Sequence, residues 1–207
     1  MCTWMPTAVF LVVAPICTLG QHNEATHRPG VLVRLYDIGE PMQHLPAIVP
    51  GQLPNEVKVM PTLDLGGPAG AFGEGKDLFV TEACGFIHVK QPGLYTFRLI
   101  SDDGARLWVD DRLVIDHDGL HGPDPKDSAV ELPAGGHAFR VLHFESTGGE
   151  RLALLWRPPG ATGDGGFVVV PAAALTHDPA ASLATSPGKK RVIHPLRRGL
   201  AGDGSPL

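Results

Sequence analysis

The segment that most limits what this chain can fold into is Gly93 to Asp118, GLYTFRLISDDGARLWVDDRLVIDHD. Leu94, Thr96, Arg98 and Ile100 alternate with Tyr95, Phe97 and Leu99. Alternation at period two gives a strand with two different faces and breaks the longer period a helix needs. Ser101-Asp102-Asp103-Gly104 follows, and its composition is that of a turn. A second run, Ala105 to Val109, ends at Asp110-Asp111. A third, Leu113 to Ile115, ends at Asp116-His117-Asp118-Gly119. Apolar hairpins therefore carry their carboxylates at the loops.

The same grammar extends through the chain. Val31–Ile38, Phe79–Val89, Ala129–Leu132, His137–Glu145, Leu152–Trp156 and Phe167–Val170 read as strands, with a kink or bulge expected at Gly85. Residues 39–77 read as a Pro- and Gly-rich connection holding one strand, and Gly119–Asp127 as a polar loop. Gly 26 and Pro 20 interrupt every stretch long enough for a helix. Short strands at regular spacing with turn signals between them predict an all-β fold, an antiparallel β-sandwich or barrel with no substantial helix in its body.

The two ends differ from this body. The first 20 residues carry no charge, and Ala8–Ile16 is an apolar run too short to span a bilayer. It fits the core of a secretory signal over residues 1–20, although the preceding residues lack Lys or Arg. Residues 21–30 read as a polar leader, residues 31–175 as the domain, and residues 176–207 as a flexible basic linker or tail. That tail from residue 179 holds five basic residues (Lys189, Lys190, Arg191, Arg197, Arg198) and one acid, which leaves 12 basic against 21 acidic residues elsewhere. A body with that balance repels phosphate, so nucleic acid is not an expected partner. If Cys2 and Cys17 leave with the signal, Cys84 stands alone as a small buried hydrophobe.

The residues from Gly85 to Trp156 resemble the PA-fourteen (anthrax protective antigen type) domain, a carbohydrate-binding β-sandwich family. The order of pieces carries the resemblance: a Gly-x-Tyr-x-Phe strand, Ser-Asp-Asp-Gly, Leu-Trp-Val-Asp, then Leu-Pro-Ala-Gly-Gly-His and Phe-Arg-Val. It extends from about Val31 to about Leu175. It implies a sandwich or barrel fold and membership among secreted glycosidases, toxins, adhesins and large surface enzymes. In the fungal adhesin members, two adjacent aspartates joined by a cis peptide hold a calcium ion that binds sugar hydroxyls. Asp102 and Asp103 occupy the matching place. The adhesins add a loop asparagine. This chain has only Asn23 and Asn55, and Glu145 and Ser146 stand near the corresponding position instead. The tail resembles linkers that join such a domain to an enzymatic domain, which would lie beyond Leu207.

The residues themselves admit the same chemistry alongside a plainer one. Eight acids fall between Asp102 and Asp127, opposed only by Arg106, Arg112 and Lys126. Calcium takes six to eight hard oxygen ligands, so a carboxylate-rich loop end suits it. The plainer reading is that Asp-Gly and Asp-Asp pairs end strands and make turns. An EF-hand at Asp116 fails, because His121 stands where glycine is needed. His117 and His121 lie on a loop broken by Gly119, Gly122 and Pro123, which disfavours zinc. Asp118 and His121 are candidates to line a ligand rim. Trp108 is a candidate stacking platform, with burial in the core as the alternative. No nucleophile elbow or phosphate loop is present.

The expected function is an exported, non-catalytic carbohydrate-binding module, calcium-assisted through Asp102 and Asp103, secreted, periplasmic or at the cell surface. A different class stays open beside it: a structural or protein-interaction domain of a larger exported enzyme, without sugar affinity of its own. A glycosidase using a pair such as Asp103 and Glu145 is the weaker third reading.

Overall fold

The computed structural model describes residues 26–49, 51–66 and 77–182. The expected secretory signal and most of the basic tail lie outside them. Thirteen strands run in chain order: β1 Arg28–Pro29, β2 Val31–Asp37, β3 Glu56–Met60, β4 Asp64–Gly66, β5 Phe79–Val89, β6 Gly93–Asp102, β7 Ala105–Val109, β8 Arg112–His117, β9 Asp124–Leu132, β10 Gly135–Glu145, β11 Arg151–Arg157, β12 Val168–Val169 and β13 Leu175–His177. Apart from Thr26, the helical residues described are short 3-10 turns at Asp164–Gly166, Ala172–Ala174 and Pro179–Ser182. No helix among the described residues is long and apolar enough to cross a membrane.

The strands form two antiparallel sheets, the all-β sandwich that the alternation predicts. One has eight strands, with order β1-β13-β5-β10-β7-β8 and with β2 and β3 joined through β5. The other has five, with order β12-β11-β6-β9 and β4 paired to β11. β5 shares one edge between two partners. Residues 79–84 pair with β2, while Phe86 and Ile87 pair with β13.

Between the sheets, the inward half of each alternation makes one core. Val33 and Leu35 of β2, Ile87 of β5, Phe97 and Leu99 of β6, Leu107 of β7, Val141 of β10 and Leu154 of β11 all belong to it. Each such side chain contributes about 1.5–3 kcal/mol by leaving water. Trp156 is in this core, its ring 5.2 Å from that of Tyr95. A second apolar cluster, Tyr36, Ile38, Met42, Val80 and Phe144, lies outside it, with Leu45 and Ile48 packed on. The segment after β2 thus folds back over part of the outer face of the larger sheet.

Several expectations change in detail. The register of β5 against β10 runs unbroken through Gly85, opposite Phe139, so no bulge lies there. Glycine is required for another reason: a Cβ at Gly85 would collide with the carbonyl oxygen of Thr176 in β13. The irregularity in register falls instead between Leu107 and Trp108. The 39–77 connection holds two strands, β3 and β4, rather than one. The polar stretch before Ala129 is the first half of β9, an edge strand whose Pro125 has no ladder bond to lose on its open side. Strand pairing starts at Arg28, ahead of Val31, and runs to His177, past Leu175. Cys84 does not stand alone. It is disulfide-bonded, and its partner lies outside the described residues.

Candidate metal centre

At one end of the sandwich the core turns polar. Thr81, Ser101 and His143 lie on the same strand faces as apolar core residues two positions away, Glu145 follows His143 on the same face of β10, and all four are 0% exposed. Ser101 leads directly into the β6–β7 turn. There the peptide between Asp102 and Asp103 is cis, as the family resemblance implies. One oxygen from each of Asp102, Asp103 and Glu145 lies within 4.8 Å of the others.

Each carboxylate is held differently. Asp103 is pinned by two backbone donors: the His121 amide donates to Oδ1 at 3.1 Å and the Ser146 amide to Oδ2 at 3.0 Å. Behind Asp102, His143 donates from Nε2 to its carbonyl oxygen at 2.7 Å. A carbonyl only accepts, so the proton must sit on Nε2. Glu145 has neither kind of support. Both of its oxygens are buried without a hydrogen-bond partner. An unpaired buried carboxylate is costly, and the usual answers are a proton, a cation or an ordered water.

The electrostatics follow from that placement. Burial first, then the charges of Asp103, Asp102, Asp77 and Glu150, push Glu145 up to about 8 from an ordinary 4.5. Burial and then Asp103 also raise Asp102, with His121 opposing. Burial holds His143 down to about 4 from an ordinary 6.5, against the pull of the Asp102 carbonyl and the Asp103 charge. Three clustered carboxylates with hard oxygens fit a divalent cation such as calcium, which would take the place of the proton on Glu145, and the orphaned oxygens of Glu145 are the observation that says so.

These shifts make a prediction for the cation-free protein. Folded Glu145 keeps its proton to about pH 8 and unfolded Glu145 loses it near 4.5, so stability falls as pH rises through that window. Folded His143 stays neutral to about pH 4 and the unfolded ring takes a proton below 6.5, so stability falls as pH drops through that window. The two slopes oppose between about 4.5 and 6.5, and only the Glu145 slope remains above. Thermal melts in chelator should show a plateau there, then a loss of about 2 kcal/mol by pH 8. A melting temperature that is flat or rising over the alkaline limb would contradict this account of Glu145.

The other candidate residues are placed as follows. The Ser146 hydroxyl accepts from the Met42 amide at 3.2 Å, so this residue meets the carboxylates through its backbone. Asp118 accepts from the amides of Leu45 and Gly119 and from Arg106. It ties the covering segment to the loop that carries His121. The His121 ring stacks on His117 with centroids 4.0 Å apart, and its amide reaches Asp103. Alternation turns Trp108 to the outer face of the larger sheet, where the Arg140 guanidinium lies 5.5 Å from its ring centroid. Both Trp108 and Arg140 lie outside the polar end of the core.

Sequence reasoning missed three supports. Gly104 is one: a Cβ there would meet the Gly119 nitrogen at 2.6 Å and the Phe144 ring at 2.7 Å. The loop bearing His121 therefore sits directly on the Ser-Asp-Asp-Gly turn. Asp77 and Glu150 are the others: Asp77 accepts from the Gly148 amide at 3.2 Å, and the charges of both raise Glu145. The Gly148-Gly149 pair beside Glu150 is the one sequence signal that could have drawn attention to that loop.

A family model described as PA14 domain matches residues 27–165. The chain belongs to the PA14 domain family. Solved structures agree on the fold. The PA14 sugar-binding domain from an RTX adhesin is 16% identical, with a TM-score of 0.59, covering 72% of this chain and 98% of that one. The epithelial adhesin 9 A domain from Candida glabrata, solved with Galβ1-4GlcNAc, is 12% identical with a TM-score of 0.54, covering 75% and 92%. A protein described as anti-sigma factor domain-containing is 20% identical with a TM-score of 0.58, covering 72% of this chain. This PA14 chain spans 48% of that protein's length. Comparison with curated protein sequences yields no match.

Proposed function

We propose that this PA14 domain is an exported, non-catalytic glycan-binding module that holds calcium on Asp102, Asp103 and Glu145. The observation that carries the reading is Glu145, fully buried with both oxygens unpaired and within 4.8 Å of two further carboxylates. A hard divalent cation satisfies those oxygens and offsets the mutual repulsion. Three protein oxygens leave coordination positions open, which water or vicinal hydroxyls of a sugar can fill. The solved relatives described as sugar-binding, or solved with a glycan, support the choice of ligand. The disulfide at Cys84 fits an oxidising compartment and supports export.

Calorimetric titration of chelator-treated protein with calcium, followed by glycan-array binding with and without the ion, tests this. The expected outcome is a calcium affinity in the micromolar to millimolar range and sugar binding that disappears in chelator. No heat and no thermal shift with calcium would remove the metal from the reading. Calcium binding without any glycan signal would leave a structural ion instead.

A further inference from the structure

We propose that the outer face of the larger sheet carries a second glycan subsite, in which Arg140, Trp108 and Leu113 take a carboxylate-bearing sugar, a uronate, without help from the carboxylate seat. Strand register makes the site. Arg140 of β10 pairs with Trp108 of β7, and Trp108 pairs with Leu113 of β8, the last strand on that side of the sheet. Paired residues share a face, so the three side chains form one row running out to the sheet edge. The row spans two strand intervals, about 10 Å, which is room for two linked sugar rings. Arg140 precedes Glu145 by five residues in β10 and points to the opposite face, about 17 Å away along the strand.

Arg140 is held in one attitude. Its Nε donates to Glu82 Oε1 at 2.7 Å. The other oxygen of Glu82 accepts from Arg34 at 3.0 Å and from the Tyr36 hydroxyl at 3.3 Å. Glu82 is 2% exposed, so this anchor is inside the fold. The Arg140 guanidinium also lies 5.5 Å from the centroid of the Trp108 ring. A guanidinium fixed through Nε presents its Nη1–Nη2 edge elsewhere. Neither of those nitrogens donates to an acceptor among the described residues, and the side chain is 27% exposed. A pair of parallel donors on a braced cation is the arrangement that receives a carboxylate through two hydrogen bonds.

The neighbours decide what carries that carboxylate. Trp108 is half-buried and Leu113 is 50% exposed, so an apolar strip adjoins the fork. The C–H face of a sugar ring packs on such a strip while its carboxylate reaches the guanidinium. The charged groups flanking the row are already engaged. Arg106 is paired with Asp116 and Asp118. Asp110 is bonded to His137 and accepts from the Ala138 amide.

Calorimetric titration of the full chain in chelator tests this. The probes are tetramers of galacturonate and of mannuronate, each beside its neutral methyl ester, with a four-residue glutamate peptide as an acid that lacks sugar rings. At least one uronate tetramer should bind about tenfold more tightly than its ester. The difference should shrink as salt approaches about 1 M. Arg140→Lys keeps the charge and loses the fork, and should weaken uronate binding about tenfold. Leu113→Asp sets a like charge at an exposed position away from the anchor, and should weaken it about fivefold with an unchanged melting temperature. Acid and ester binding equally, or no uronate binding at all, overturns the proposal. The glutamate peptide binding as tightly as the uronates overturns the choice of a sugar. Full affinity in both variants shows that the anion sits elsewhere and overturns the site. Calcium titration reads the carboxylate seat separately, so this subsite and the calcium reading stand or fall independently.

Discussion

Glu145→Gln should raise the melting temperature of the calcium-free domain at pH 8 and abolish its response to calcium. The opposite signs come from one physical fact. Glu145 is buried with both oxygens unpaired and sits among other carboxylates. At that pH the wild-type domain must either bury a charge or hold a proton that the unfolded chain has released. Glutamine carries no charge, so the linkage cost of about 5 kcal/mol at pH 8 disappears; its own unpaired buried amide offsets about half of that, leaving a net gain of about 2 kcal/mol, or about 4–8 °C for a domain of this size. The same change removes one of three anionic ligands, and calcium affinity should fall by about 100-fold. Wild-type protein at calcium about 100-fold above Kd gains about 2.7 kcal/mol that the variant lacks. Melts with and without calcium read both effects in one experiment. A variant that is less stable without calcium would mean that Glu145 has a structural partner and no role as a ligand.

The second large effect is at a residue without a side chain. Gly104→Ala places a Cβ 2.6 Å from the Gly119 nitrogen, 2.7 Å from Phe144 Cε1 and 2.8 Å from the Gly119 carbonyl oxygen. Two of those atoms are backbone, and the third belongs to a ring with 0% exposure. No side-chain rotation relieves the contact, so the loop at 118–122 must move. Overpacking of this kind costs about 3 kcal/mol. Moving the loop also draws the His121 amide off Asp103, so calcium affinity falls together with stability. Gly122→Ala is the control, because nothing lies within 4 Å of a Cβ at that position. Calorimetry of the two variants should separate them by several degrees. Equal melting temperatures would show that the loop does not rest on the turn as described.

The sandwich was legible because most of its strands have one wet face and one dry face. β6 is the clearest case: Tyr95, Phe97 and Leu99 are buried and their neighbours are partly exposed or exposed. Where that contrast fails, so does the reading. The first half of β9, Asp124–Lys126, is exposed on both sides as the start of an edge strand, and it reads as a loop. β13 is only three residues long, too short for any period to show. Gly85 was rightly marked as special, but glycine has several uses, and close approach of another backbone leaves no local trace.

The candidate site was legible in a different way. Asp102 and Asp103 stood out as a charged turn within an apolar hairpin, and the family resemblance gave them a role. Glu145 was named as a substitute for a missing asparagine and as one of a possible acid–base pair with Asp103. What sets it apart is burial, which depends on both sheets and on the loop after β10. His143 shows the same limit. Its Nε2 supports the Asp102 carbonyl, yet in sequence it is one histidine in an alternating strand. Asp77 and Glu150 lie 73 residues apart in the sequence, and no local pattern can join them.

The shared edge of β5 also fixes where this domain hangs from its chain. Leu78, just before β5, donates to the Ser146 carbonyl at the carboxylate end. Phe86 and Ile87, further along, carry β13, which in turn carries β1. At about 3.3 Å per residue, that attachment lies roughly 25 Å from the seat. Arg28 and His177 are directly paired, so the first and last strands of the sheet lie side by side at this edge. A pull on the backbone would meet this pairing together with the Cys84 disulfide and the bond from Arg34 to the Ala181 carbonyl. The carboxylate end, at the far tip, would feel the load last.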